Sequence, residues 1–130
     1  MTTLEILVAA RAKIARPENW CKHHSAETID FEACFPDSPD AYRWCAQGAI
    51  YVSIKSAFPE LVFLDVMRAM RAMGYWPLRN FNDYGIHADI LRIFDEVIAS
   101  LQPPPKSTNI DVFTRLLDGA IPAQEPIELA

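Results

Sequence analysis

Glycine is scarce in this chain, four in 130 residues, and no two glycines stand close enough to build a phosphate-cradling loop. A Ser-centred nucleophile elbow, an HExxH pair and a paired-carboxylate helix motif are also missing, so the commonest sequence routes to a nucleotide-, serine- or zinc-dependent enzyme are closed. Cationic clustering is missing too. Twelve Lys and Arg are dispersed along a chain of net charge −5, which leaves no basic stripe for a phosphate backbone and disfavours direct nucleic-acid binding. No apolar run reaches the roughly 20 residues that span a bilayer, and Met-Thr-Thr-Leu-Glu-Ile carries no charged leader before an apolar core. These features predict a soluble cytoplasmic protein with no membrane partner. Cys21, Cys34 and Cys45 are odd in number and irregular in spacing, which predicts reduced thiols rather than a disulfide framework.

What is present is a globular balance of 51% apolar and 22% charged residues. A chain of this length buries about two-thirds of the surface that its unfolded form exposes, so one domain needs no staple. The stretch from Ser38 to Phe58 is apolar on nearly every side. Ser38 as cap, Pro39 at the first helical position and Asp40 at the positive helix end predict a long central helix. Its stripe of Ala41, Cys45, Gly48 and Val52 predicts close approach of a second helix, since a mid-helix glycine costs about 1 kcal/mol relative to alanine.

The remaining elements follow in order. Thr2 and Glu5 stand at capping-box spacing before a helix to Ala15, with Leu4, Leu7, Val8, Arg11, Ile14 and Ala15 as its inward stripe. Residues 28 to 35 alternate loosely, as a short strand or an ordered loop with no clear pairing partner. Val62, Phe63, Val66, Met70 and Met73 mark a helix stopped by Gly74. Tyr75 to Gly85 is rich in turn formers and predicts an aromatic loop. Ile90, Leu91, Phe94, Val97, Ile98 and Leu101 give the cleanest amphipathic stripe, ended by Pro103, Pro104 and Pro105. The expected fold is therefore all-α, a compact bundle of about four helices around a central apolar helix, with at most a small hairpin. Residues 1–102 form the domain. Residues 103–130 form a Pro-rich spacer and a short helical appendix carrying Ile110, Phe113, Leu116 and Leu117, which either folds back on the core or meets another chain.

Three chemistries are open. Cys45 with a histidine (His23, His24 or His87) and Asn82 or Asp83 contains the parts of a thiol hydrolase or transferase, with Cys45, His87 and Asp83 as the catalytic set; the bland reading is a small buried hydrophobe. Cys21, His23, His24 and Cys34 are zinc-ligand types, but their spacing matches no usual site, and otherwise Trp20 packs while the histidines are solvated. Asn80-Phe-Asn-Asp-Tyr-Gly85 holds a turn through its own side chains, and Asp83 is expected to pair with Arg43. The expected contact surface is Tyr75, Trp76, Phe81 and Tyr84 with Phe113 and Leu117, because exposed aromatic clusters mark partner sites.

The helix segment Trp44-Cys-Ala-Gln-Gly-Ala49, with Phe81-Asn-Asp83 and an amphipathic helix downstream, resembles a family of small uncharacterised proteins of bacteria and their phages. The resemblance covers about Leu4 to Leu101 and includes a Trp near the end of the opening helix, Trp20 here. Phe81 stands where that family usually has Trp, and His87 where a Thr or Ser cap is expected. It implies a self-contained helical domain whose motif residues Trp44, Cys45, Gly48, Asn82 and Asp83 lie near one another, and no established activity. The combined expectation is a non-catalytic interaction or regulatory module, of phage or mobile-element accessory type. It needs no cofactor, binds another protein and leaves room for a homodimer.

Overall fold

The computed structural model describes residues 1–103, and the expected appendix, with Phe113 and Leu117, lies outside them. Among the described residues the chain forms α1 (Thr3–Lys13), a single 3-10 turn (Pro17–Asn19), β1 (Ala26–Glu27), β2 (Ala33–Cys34), β3 (Arg43–Trp44), α2 (Ala46–Val52), α3 (Pro59–Ala72), α4 (Leu78–Tyr84) and α5 (His87–Leu101). The class is mixed and helix-rich rather than all-α, because β1 pairs antiparallel with both β2 and β3.

The sheet corrects the central-helix expectation. Ser38-Pro-Asp makes a tight turn, with Asp40 N–H donating to Ser38 Oγ and Ala41 N–H to Ser38 O, and no helix starts there. The next residues are aromatic and β-favouring, and they extend along β1: Tyr42 N–H donates to Glu27 O, Arg43 lies opposite Glu27, and Trp44 lies opposite Ala26. The missing partner for the 28–35 run thus sat inside the stretch expected to be helical. Trp44 also bridges Trp20, and Cys21 N–H donates to Trp44 O.

Only Ala46–Val52 remains helical, and its cap is a thiol. Cys45 Sγ accepts from Gly48 N–H at 3.2 Å, doing what a Ser or Asp oxygen does elsewhere. The short helix is still central, with Ala46, Gly48, Ala49 and Ile50 buried. Gly48 is needed for close approach, to a loop rather than to a helix: a Cβ there would lie 2.0 Å from Ser25 O.

Around α2 the core is built mainly by α1, α3 and α5. Thr2 caps α1 in a full capping box with Glu5, but the buried stripe is Ile6, Leu7, Ala10 and Ile14, while Val8 is half exposed. Apolar residues surround α1 so evenly that its sequence barely specifies which side faces in. Val66, Met67 and Met70 face inward from α3, and Ile90, Ile93, Phe94 and Val97 from α5. Met73, expected in the core, is exposed. Arg11 bridges α1 to α5 through a two-point contact with Asp95 at 2.6 and 3.1 Å. No described helix is long and apolar enough to cross a membrane.

Candidate functional site

Tyr75–Gly85, expected as a loop, contains α4. Pro77 immediately precedes its first turn, where the missing N–H costs nothing, and Gly85 follows Tyr84. Seven residues are too few to hold a helix alone, so α4 depends on tertiary bonds. Asn82 supplies them. It is 1% exposed, and all four bonds available to its amide are made. Its Oδ1 accepts from Trp20 Nε1 at 2.7 Å and from Ala46 N–H at 2.9 Å. Its Nδ2 donates to Cys21 O at 3.0 Å and to Asp83 Oδ1 at 3.1 Å. One amide therefore joins α4, the start of α2 and the Trp20–Cys21 segment. Unpaired amides are costly in a buried site, which is why an asparagine rather than an apolar residue holds this junction.

Asp83 does not pair with Arg43, contrary to expectation. Its Oδ1 accepts from His23 N–H at 2.9 Å, which holds His23 in a left-handed conformation at φ 70°, and its Oδ2 lies 3.7 Å from the His23 ring. Arg43 instead donates to Thr28 O at 2.6 Å and lies 3.8 Å over the Phe31 ring, closing the β1–β2 turn.

The candidate thiol site is also rearranged. A small cavity of about 90 Å³ beside Cys45 is lined by His23, His24, Ser25, Gln47, Arg79 and Asp83. His87 is elsewhere: its Nε2 donates to Ile14 O at 2.7 Å, satisfying a carbonyl at the end of α1, and its ring packs against Trp20. Cys45 is 8% exposed, and burial holds its thiol pKa above the ordinary value against the lowering pull of the Gly48 and Gln47 amides. Burial thus favours the thiol over the thiolate at this helix cap.

The residues named as zinc-ligand types are near one another without sharing a ligand position. Cys21 is buried with its Sγ on His24 O at 3.5 Å, and burial, reinforced by nearby Glu27, raises its pKa strongly. Cys34, on β2, lines a cleft of about 430 Å³ together with His23 and His24. Among the described residues no three His, Cys, Asp or Glu side chains converge on a metal position.

The aromatic cluster divides. Tyr75, Phe81 and Tyr84 border one groove of about 340 Å³ between α4 and α5, with Ile93 as part of its apolar wall and Asp89 and Arg92 also lining it. Phe81 stands edge-on to Tyr75 at 5.3 Å. The Tyr75 hydroxyl donates to Glu96, which also pairs with Arg92. Those two bonds, Tyr75's first, lower the Glu96 carboxyl pKa, and the bond to Glu96 raises that of the Tyr75 phenol. Trp76 faces another cleft, with Leu64, Met67, Arg68 and Arg71.

Sequence reasoning missed the buried-network role of Asn82. The available signal was its place between Phe81 and Asp83 in a segment too short to be stable alone. Comparison with protein-family models, with curated proteins and with solved structures returns no match.

Proposed function

We propose that this protein acts by contact with another polypeptide, and that the α4–α5 groove receives an apolar anchor of that partner. The observation that carries this reading is Tyr84, 85% exposed at the edge of a groove whose other walls are Phe81, Tyr75 and Ile93. An aromatic ring left in water on a short helix has a cost that burial against a partner removes, and such rings concentrate binding energy. Asp89 and Arg92 offer one charge of each sign to polar groups flanking the anchor. The division of labour along α4 supports the reading as well, because Asn82 holds the helix from inside while Phe81 and Tyr84 face out. The resemblance to small bacterial and phage proteins adds a cytoplasmic accessory role in phage or mobile-element biology.

A photoreactive phenylalanine analogue at Tyr84, irradiated in the source cell, tests this. The expected product is a discrete heavier adduct with one partner polypeptide, missing when the analogue replaces Lys55, which is also exposed. Equal labelling from both positions overturns the reading. An adduct of twice the chain mass would identify the partner as a second copy.

A further inference from the structure

Two opposite charges border the small cavity beside Cys45 without meeting. Arg79, near the start of α4, and Asp83, one turn further on, both line that space of about 90 Å³, yet they form no ion pair with each other. Asp83 Oδ1 accepts from His23 N–H and from Asn82 Nδ2, while Oδ2 has the His23 ring 3.7 Å away, beyond hydrogen-bond distance. The Asp83 side chain is 15% exposed, so this oxygen is largely withdrawn from water. Among the described residues Arg79 has no carboxylate, carbonyl or ring as partner, whereas Arg11, Arg43, Arg71 and Arg92 each have one. His24 lies 3.9 Å from Glu27, and Ser25 and Gln47 add neutral polar groups to the wall. His23, His24 and Ser25 also line the cleft of about 430 Å³ whose other walls are Ala33, Cys34 and Phe35, so the two spaces adjoin. Phe35 is 79% exposed.

We infer that these adjoining spaces bind a free α-amino acid with an aromatic or large apolar side chain. The ligand carboxylate pairs with the Arg79 guanidinium, whose planar fork suits it, and the ligand ammonium donates to Asp83 Oδ2. The side chain lies in the outer cleft against Ala33 and Phe35. Opposite charges that face one space without pairing select a zwitterion, because a plain carboxylate meets the like charge of Asp83 and a plain amine that of Arg79. The site is separate from the α4–α5 groove and does not depend on the reading of that groove.

The test titrates the purified full chain with L-phenylalanine, L-tryptophan and L-leucine at millimolar concentration and follows backbone amide NMR shifts. At least one of the three is expected to give saturable shifts at His23, His24 and Ser25. 3-Phenylpropionate and phenethylamine each lack one charge of phenylalanine, and each is expected to bind at least about tenfold more weakly than the best amino acid. Arg79→Gln is expected to weaken binding by about the same factor while leaving the thermal transition within a few degrees, since Arg79 is exposed and holds no partner among the described residues. Lys55→Ala, a change of an exposed residue outside both spaces, is expected to leave binding unchanged. No saturable shift with any of the three, shifts confined to Tyr84 and Asp89 at the groove, 3-phenylpropionate or phenethylamine binding as tightly as the best amino acid, or undiminished binding by Arg79→Gln overturns the inference.

Discussion

Replacing Asn82 by alanine removes one buried amide and leaves three groups without partners. Ala46 N–H and Cys21 C=O are both bonded to Asn82 in buried settings, and each costs about 1–3 kcal/mol when orphaned. The Trp20 indole N–H is half-buried and can turn toward water, which adds at most about 1 kcal/mol. The expected loss is about 4 kcal/mol, a large share of the roughly 5–15 kcal/mol that holds a domain of this size together. At about 4–8 °C per kcal/mol the melting temperature falls by roughly 20 °C. Urea unfolding followed by circular dichroism measures this directly, with the midpoint reduced and the slope unchanged. Asn82→Asp separates hydrogen bonding from volume. It keeps the acceptor, loses the donor to Cys21 O, and sets a second carboxylate beside Asp83, so it is expected to be as destabilising at neutral pH and to recover partly on acidification, when the new carboxyl can donate. A loss below about 1 kcal/mol for Asn82→Ala would refute the claim that this amide holds the junction.

Other consequences are independent of that network. Gly48→Ala gains about 1 kcal/mol of helix propensity but drives a methyl group into the Ser25 backbone, so a net loss of about 1–3 kcal/mol is expected in thermal melts, and a stabilised variant would contradict the packing. In the native protein a thiol reagent is expected to label Cys34 quickly and Cys21 and Cys45 only on the timescale of opening; rapid labelling of Cys45 would show an accessible nucleophile. Burial raises the pKa of both Cys21 and Cys45, so the unfolded chain loses these thiol protons above about pH 9 while the folded chain keeps them. Stability then falls as pH rises through the unfolded thiol range, and the fall should be shallower in Cys21→Ala. A stability plateau from pH 9 to 10 would contradict this.

The elements with strong one-sided patterns were legible in the sequence. The α5 stripe, the Thr2–Glu5 capping box and the Gly74 stop behave as their residue types dictate. Ser38-Pro-Asp misled because the same residues that cap a helix also close a turn, and Tyr42-Arg-Trp44 found β1 to pair with before the helix could begin. A cysteine cap is uncommon, so Cys45 did not stand out as the true start of α2. Strands of two residues are too short for alternation to announce them, and their existence is set by tertiary pairing. For the candidate site, the exposure of Phe81 and Tyr84 followed from composition. The separation of Trp76 from them did not, since Tyr75-Trp-Pro77 sends neighbouring rings to different faces.

The central claim is that the outer face of α4 binds while its inner face holds the fold, and the most direct measurement is partner capture and stability on the same Phe81→Ala, Tyr84→Ala variant. Tyr84 contributes little to the fold at its exposure, and loss of the Phe81–Tyr75 edge contact costs about 1 kcal/mol. The account predicts a melting temperature within about 8 °C of the parent and loss of the partner adduct, now read from the analogue placed at neighbouring Asn80. An intact adduct, or a collapse of stability comparable with that of Asn82→Ala, would contradict it.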